Sequence, residues 1–352
     1  DILERAQEFA GLNGDGYLEK SQEERQKALV DFALPKNIAK MQSDLKKYRI
    51  EYDTWFHESV LHNDGEIQDT LKILTEKGMT YELDGALWYK ATDFGAEKDE
   101  VLVRKNGNPT YFAADIAYHR NKFQRGFDRC IDIWGADHHG HVARMKGAMN
   151  AVGLDGSKLD VVLMQLVKLV RNGEIVRMSK RTGKAIQLAD LLDEVPVDAA
   201  RFLFNMREAN SQMEFDLDLA VQQDAQNPVY YVQYAHARIC SILKALEKDG
   251  VVKRACSEEE LLLLVQPEEL SLIRHLAAYT GEVVSAAKDY DPARITRYVI
   301  DLANLFHKFY NACRVKGEAE GLMQARLTLC RATAVVLRNV LTMFNITVPT
   351  SM

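Results

Sequence analysis

The hydrophobic pattern of the chain changes near residue 227, and this change limits the folds that the chain can adopt. Before it, short strand-like runs alternate with runs of helical spacing, whereas after it only helical spacing remains. Alternating strands and helices predict an α/β sheet, and amphipathic helices with short connections predict a bundle. The sequence therefore predicts an α/β part followed by an all-α part, with a boundary near Asn227-Pro228.

Strand and turn patterns are confined to the first part. ALWYK and EVLVRK are typical of short strands, and RCIDIWGAD is typical of a buried parallel strand that ends near Gly135. NPTYFAADIAYHRNKF predicts a turn that leads into a helix, and HVARMKGAMNAVG predicts a helix that ends at Gly153. Asn172-Gly173 between two apolar runs predicts a β-hairpin.

Helices are predicted at both ends of the chain. Residues 21–80 are mostly helical in pattern: Ser21 and Glu24 form a capping box, Pro35 is expected to interrupt the helix, and Gly78 is expected to end a later one. In the second part, apolar residues keep helical spacing over 229–246, 295–313 and 322–344, which predicts a bundle of three long helices.

Composition narrows the class of protein. A chain of 352 residues with 47% hydrophobic and 27% charged residues is typical of a folded globular protein with room for two domains. No apolar run approaches the ~18–20 residues that span a bilayer. Five cysteines without a C-x-x-C pair favour a reducing, cytoplasmic compartment, with neither disulfides nor a structural zinc site.

The segment EIVRMSKRTGKAI is rich in cations and hydroxyl groups, although the net charge of the chain is −6: Arg177, Lys180, Arg181 and Lys184 surround Ser179, Thr182 and Gly183. Such a segment, taken alone, is most often a solvated loop. Beside a nucleotide, a cationic loop can instead stabilise the charge that develops on a triphosphate in a transition state.

Within this segment, RMSKR resembles the KMSKS signature loop of class I aminoacyl-tRNA synthetases, with Arg177 where the family usually has Lys. In that family the loop binds the phosphates of ATP during amino-acid adenylation. The resemblance implies that Lys180 is the main catalytic cation and that Ser179 assists it. It also implies supporting charges at Arg177 and Arg181, and an ATP contact at Met178.

The run WGADHHGHVARM allows three interpretations. Asp137, His138 and His141 could bind a metal in a hydrolase, although the adjacent His138 and His139 do not easily face one ion. HHGH could be the HIGH signature of class I synthetases, but it lies only about forty residues before the basic loop, too close for that motif. The third interpretation is preferred: the run resembles the G-x-D-x-x-x-H segment late in class I catalytic domains.

That third resemblance assigns four positions. It implies that Gly135 and Asp137 meet the ribose of ATP, which agrees with the close approach that glycine permits and with the use of acidic residues on ribose hydroxyls. It further implies that His141 faces the same crevice and that His138 lines the amino-acid pocket of an arginyl-tRNA synthetase.

Tyr111 and Asp115 lie four residues apart, and hence on one face of the predicted helix. A half-buried Tyr above an Asp near a helix start is common. A guanidinium group, however, is well bound by a carboxylate at its edge and an aromatic ring at its face. The pair resembles the arginine-recognition Tyr and Asp of arginyl-tRNA synthetases.

Two runs in the second part resemble the helical anticodon-binding domain of bacterial arginyl-tRNA synthetases, namely NPVYYVQYAHARIC and FHKFYNACRV, and the final NITVPTSM resembles the family's C-terminus. Packed aromatic residues are the plainer interpretation. Since anticodon bases are read by stacking on aromatic rings, the resemblance implies these tRNA contacts: Tyr230, Tyr234, His236, Arg238, Tyr310, Arg314 and Met352.

The motifs cover essentially the whole chain in the order of the family. They imply the C-terminal part of a Rossmann-type class I synthetase catalytic domain at 1–226, followed by a helical-bundle anticodon-binding domain at 227–352. The first range would comprise a helical insertion at 21–80, the second half of the Rossmann-type fold at 86–195, and connecting helices at 196–226.

The activity implied is that of an arginine–tRNA ligase, which uses ATP with Mg²⁺ and has L-arginine and tRNA(Arg) as partners. A monomer in the cytoplasm is expected. The chain starts at Asp1 and has no HIGH motif far upstream of the basic loop, where the family has it. It is therefore expected to be a C-terminal fragment that is inactive alone. Two alternatives stay open: a non-catalytic tRNA-binding module, and a metal-dependent hydrolase that uses Asp137, His138 and His141.

Overall fold

The computed structural model describes residues 2–177, 186–252 and 254–352. It begins with four helices, α1 (Ile2–Asn13), α2 (Gln22–Lys47), α3 (Ser59–Asn63) and α4 (Glu66–Glu76). The capping box of Ser21 and Glu24 is confirmed at the start of α2. The end of α4 is also confirmed, since Gly78 has a φ of +72° and its N–H donates to the carbonyl of Thr75.

The expected interruption at Pro35 is wrong, because α2 continues through it. A proline removes a single N–H donor from the helix. The helix is also supported from outside, since the ring of Phe32 packs on Phe9 of α1 with 5.3 Å between centroids. Beyond the proline, Arg5 of α1 donates to Asn37 of α2 at 3.1 Å, so contacts with α1 support α2 on both sides of Pro35.

Three short antiparallel strands follow: β1 (Thr80–Leu83), β2 (Ala86–Tyr89) and β3 (Glu100–Val103). The two strand-like runs of the sequence are β2 and β3, whereas β1 was not predicted. Helix α5 (Tyr111–Gln124) begins after Thr110, whose hydroxyl accepts a hydrogen bond from the N–H of Ala113. The N-cap at Thr110 therefore fixes where α5 begins, and in the first turn Tyr111 is exposed whereas Phe112, Ala113 and Ala114 are buried.

A parallel βαβ unit forms the next layer, with β4 (Cys130–Gly135), α6 (His139–Val152) and β5 (Leu159–Met164). The predicted parallel strand and the end of α6 at Gly153, with φ +94°, are confirmed. Burial of the strand on both faces is wrong, because Ile133 is 66% exposed and Ile131 is exposed on the same face. One face of β4 is thus open to solvent within the described residues.

The predicted hairpin is confirmed. Strands β6 (Val167–Arg171) and β7 (Glu174–Ile175) are joined by Asn172 and Gly173, both with positive φ, as a two-residue hairpin turn requires. Strand β8 (Met213–Asp216), which was not predicted, pairs parallel to β6. Three short helices lie around this sheet, namely α7 (Leu188–Glu194), α8 (Val197–Phe204) and α9 (Leu217–Ala220).

The rest of the described chain is helical, so the succession of an α/β part and an all-α part is confirmed. Its helices are α10 (Pro228–Lys248), α11 (Glu258–Leu261), α12 (Pro267–Asp289), α13 (Pro292–Ala312) and α14 (Glu320–Met343). The prediction of three long helices is corrected to four, because α12 was missed. Across the described ranges, no helix combines the length and apolarity needed to cross a bilayer.

Two hydrophobic cores organise these elements. The first lies between Leu61 and Leu159 and joins α3–α6 to the strands beside them. The second extends from Leu191 to Ile346, so that α7–α9 pack into the same core as the bundle. The domain limits at 226 and 227 stay a prediction, and the second core continues across them.

Candidate functional site

The carboxyl end of β4 carries the residues of the predicted nucleotide site. Gly135 is the last residue of the strand and has extended backbone angles. Asp137 and His138 follow on a single 3-10 turn (136–138), with both side chains exposed, and α6 begins at once with His139. The βαβ connection therefore presents these side chains at the strand end, where ligands bind in open α/β sheets.

Helix α5 supplies the second group of predicted residues. Tyr111 begins the helix and is 77% exposed, and the side chain of Asp115, one turn later, is 50% exposed. The carboxylate of Asp115 lies 3.7 Å from Nε2 of His141 on α6. An open carboxylate and an open aromatic ring on one helix face can together bind a planar cation.

The structure brings Asp115 and His141 together, although the sequence assigned them to different ligands. The ring of His141 is flanked by Phe112 and Trp134, with 5.4 and 5.2 Å between ring centroids. These two rings fix the position of His141 between α5 and β4. His141 therefore lies where the predicted arginine pocket and the predicted ATP site meet.

Sequence analysis missed a buried network between α5 and β4. Nε2 of His119 is 2.6 Å from one carboxylate oxygen of Asp132, and Lys122 donates to the other at 2.9 Å. Burial raises the pKa of Asp132, but the hydrogen bonds from His119 and Lys122 outweigh burial and leave this pKa below its ordinary value. The one available indication was an Asp in the middle of the apolar run CIDIWG.

Only one of the predicted loop residues is described. Arg177 follows β7 and is exposed. The other predicted loop residues, Met178, Ser179, Lys180 and Arg181, lie outside the described residues. The hairpin of β6 and β7 is the element that leads into this segment.

On the bundle, three of the predicted tRNA contacts form one cluster. The guanidinium of Arg238 on α10 lies over the rings of Tyr234 and Tyr310, 4.7 and 4.9 Å from their centroids. Sequence analysis missed His307, whose Nδ1 is 3.4 Å from the guanidinium of Arg238. Burial, followed by the charge of Arg238, lowers the pKa of His307 to about 4. The cluster thus presents one cation and two aromatic rings, both partly exposed.

The other predicted contacts are separate from this cluster. Tyr230 is half-buried on α10, Arg314 is exposed after α13, and Met352 is exposed. His236, in contrast, is buried, and its Nδ1 donates to the carbonyl of Pro349 at 2.9 Å. Its ring therefore supports the end of the chain instead of presenting itself to a ligand.

The segment 345–349 is held by side chains from distant parts of the chain. Gln233 donates to the carbonyl of Thr347 at 2.8 Å, and Asp198 accepts from the backbone N–H of Thr347 at 3.1 Å. Arg49, just after α2, donates both to Asp198 and to the carbonyl of Asn345. This clamp connects the N-terminal helices, α8 and α10 through the C-terminal segment.

The sequence predictions also concern metal ligands and cysteine thiols. In the part of the chain that the structure describes, no group of three or more His, Cys, Asp and Glu side chains could hold a metal ion. All five cysteines are free, and three of them are buried: Cys130, Cys313 and Cys330.

Comparison with known proteins agrees with this arrangement. The family described as "tRNA synthetases class I (R), catalytic domain" matches residues 17–243, and "DALR anticodon binding domain" matches residues 232–352. Over its whole length the chain is 59% identical to the arginine–tRNA ligase of Caldanaerobacter subterraneus and 56% identical to that of Ruminiclostridium cellulolyticum. It spans 63% of the length of these relatives.

Solved structures of arginyl-tRNA synthetases share the fold of this chain. A candidate arginyl-tRNA synthetase from Campylobacter jejuni superposes with a TM-score of 0.87 at 31% identity, covering 99% of this chain and 75% of the other. Arginyl-tRNA synthetase from Thermus thermophilus has the same fold, with a TM-score of 0.80 at 23% identity, covering 96% of this chain and 67% of the other. The chain belongs to the arginyl family of class I aminoacyl-tRNA synthetases, with a catalytic-domain region followed by a DALR anticodon-binding domain.

Proposed function

We propose that the chain is part of an arginine–tRNA ligase, which activates L-arginine with ATP and transfers it to tRNA(Arg), with release of AMP and diphosphate. The observation that carries this proposal is the open pair of Tyr111 and Asp115 at the carboxyl end of β4, where Asp137 follows the strand. The relatives named arginine–tRNA ligase support it.

In this proposal Asp115 and Tyr111 recognise the side chain of arginine. A guanidinium donates two parallel N–H bonds to one carboxylate, and its flat face stacks on an aromatic ring. A lysine ammonium is a point donor that leaves the second oxygen of Asp115 without a partner, so the site discriminates against lysine. His141 lies 3.7 Å from that carboxylate, and His138 is assigned to the lining of the pocket.

ATP, with Mg²⁺, occupies the crevice next to this pocket. Gly135 permits close approach to the strand end, and Asp137 accepts hydrogen bonds from the ribose hydroxyls. A carboxylate oxygen of arginine then attacks the α-phosphorus, and diphosphate leaves. We assign the neutralisation of the charge that develops on the phosphates to the basic segment: Arg177 with Met178, Ser179, Lys180 and Arg181.

The cluster on the bundle binds the anticodon. Splayed bases stack on aromatic rings and guanidinium planes, and Tyr234, Arg238 and Tyr310 offer both at one place. Tyr230, Arg314 and Met352 are assigned further contacts with the tRNA. His236 is assigned a supporting role, because it is buried and holds the segment that leads to Met352.

The activity is tested by arginine-dependent exchange of diphosphate into ATP and by charging of tRNA(Arg). Both are measured for this chain and for the complete polypeptide in which the sequence occurs, since the chain spans 63% of its relatives. Exchange that depends on arginine and not on lysine supports the proposal. Activity that is absent from the complete polypeptide, or is equal with lysine, rejects it.

Binding to tRNA distinguishes the alternatives. A titration with tRNA(Arg) and tRNA(Lys) at two salt concentrations is expected to show a preference for tRNA(Arg) that survives moderate salt. Equal and strongly salt-dependent binding would indicate phosphate contacts alone. Preference without any exchange in the complete polypeptide would favour the non-catalytic tRNA-binding module, and stoichiometric zinc would favour the hydrolase that uses Asp137, His138 and His141.

The cellular compartment and the oligomeric state are part of the same proposal. We place the protein in the cytoplasm, where translation occurs and where its five free cysteines stay reduced. A monomer is proposed, and equilibrium sedimentation across a range of concentrations would detect any dimer.

A further inference from the structure

One buried cluster has no part in the proposed mechanism. His119 on α5 and Asp132 on β4 are both buried, and they face each other between the helix and the sheet. His119 lies one helical turn after Asp115 on α5, but its side chain is buried whereas that of Asp115 is 50% exposed. Buried ionisable groups require partners, because desolvation of an unpaired charge is costly.

The ring of His119 forms a bridge between two elements. Its Nε2 is 2.6 Å from the carboxylate of Asp132, and its Nδ1 is 2.7 Å from the backbone carbonyl oxygen of Asp115. Both neighbours are acceptors, so both ring nitrogens must donate for the two hydrogen bonds to form together. The bridge therefore connects the turn of α5 that carries Asp115 to the strand that ends at Gly135.

We propose that His119 is a positioning residue for arginine recognition: its ring, anchored on Asp132, fixes the Asp115 turn of α5 relative to the carboxyl end of β4. The inference rests on the proposed function, because it concerns the site in which Asp115 binds the guanidinium. A guanidinium and a carboxylate pair well only in a narrow geometry, so a shift of this turn weakens arginine binding without altering the ATP crevice.

Lys122 provides the matched comparison. It donates to the same carboxylate at 2.9 Å and also belongs to α5, but it lies two turns beyond Asp115, and its ammonium is directed to Asp132 and to the ring of Tyr118. A role that consists only of holding α5 on the sheet would be shared by His119 and Lys122. A positioning role at Asp115 belongs to His119 alone.

Either of the two hydrogen bonds of the His119 ring can be removed separately by substitution. In His119→Gln the amide nitrogen replaces Nε2 and keeps the bond to Asp132, whereas in His119→Asn it replaces Nδ1 and keeps the bond to the carbonyl of Asp115. Each substitution removes one hydrogen bond, so each is expected to raise the KM for arginine about fivefold. The KM for ATP is expected to change less than about twofold.

The test uses arginine-dependent ATP–diphosphate exchange by the complete polypeptide with tRNA(Arg) present. Lys122→Met is the control, and it should leave the KM for arginine within about twofold of wild type even if it lowers thermal stability. An unchanged arginine KM in a folded His119 variant overturns the inference, as does an equal rise in Lys122→Met. Absence of arginine-dependent exchange in the wild type would instead reject the proposed function, so the two failures are distinguishable.

Discussion

The substitution Asp115→Asn tests the proposed arginine pocket most directly. Asn has nearly the same shape, but it loses the negative charge and presents an NH₂ group to the N–H groups of the guanidinium. Hydrogen bonds to charged groups contribute about 1.5–3 kcal/mol. Because the side chain of Asp115 is 50% exposed, solvent screening places the expected loss near the middle of that range.

A loss of about 2 kcal/mol corresponds to a rise of roughly thirtyfold in the KM for arginine. The free energy of unfolding should hardly change, since His141 lies 3.7 Å from the Asp115 carboxylate, too far for a strong hydrogen bond. Arginine-dependent ATP–diphosphate exchange is measured beside the matched variant Asp128→Asn, which makes the same chemical change at an exposed residue after α5. A rise below threefold, or an equal rise in Asp128→Asn, refutes the assignment.

Three further predictions concern the bundle. Glu269 is fully buried and accepts a hydrogen bond from Nε of Arg326 at 2.6 Å. Glu269→Met removes the carboxylate that pairs with this buried guanidinium, so it should lower the free energy of unfolding by about 3–5 kcal/mol, measured by urea denaturation. The double variant that also carries Arg326→Met should recover most of this loss of stability. Burial lowers the pKa of His307 from 6.5 to about 4, so the unfolded chain protonates first, and stability present above pH 6.5 should be lost as pH falls towards 4. After allowance for partial exposure this loss is about 1–2 kcal/mol, and His307→Gln should abolish that part of the pH dependence. Arg238→Ala should weaken tRNA(Arg) binding by about 1 kcal/mol in a filter-binding titration, whereas an unchanged affinity would contradict the role of its contacts with the two tyrosine rings.

Features that depend on neighbouring residues were predictable from the sequence. The turn at Asn172 and Gly173 follows from the positive φ that those two residues tolerate, and the capping box at Ser21 needs only the residue three positions on. Tyr111 and Asp115 were paired because helical spacing alone places them on one face. Each of these inferences spans no more than one helical turn or one tight turn.

Other elements were missed because their local pattern is weak. Helix α12 buries only three residues within its described length, namely Glu269, Leu272 and Ala286, so it lacks the regular apolar stripe that identified its neighbours. Strand β8 has the sequence MEFD, in which a single side chain, Phe215, is buried. Four residues of that composition do not distinguish a strand from a turn.

Part of the candidate site could not be predicted, because residues that are far apart in the sequence contact each other there. His236 was expected at a tRNA surface, but Pro349, 113 positions later, covers it and accepts its hydrogen bond. The bridge from His119 to Asp132 joins a helix and a strand, and helical periodicity describes only one of them. Tertiary contacts of this kind decide whether a polar side chain meets a ligand or another part of the chain.

The clamp on residues 345–349 can form only long after Arg49 has been synthesised. Arg49 and its acceptor, the carbonyl of Asn345, are 296 positions apart. At elongation rates of ~5–20 residues per second, the guanidinium of Arg49 leaves the ribosome roughly 15–60 s before its acceptor does. The first core, complete at Leu159, can pack during this interval, whereas the second needs residues up to Ile346. The second core therefore stays incomplete until residue 346 has been synthesised, and we expect ribosome-associated chaperones to bind the nascent chain during this interval.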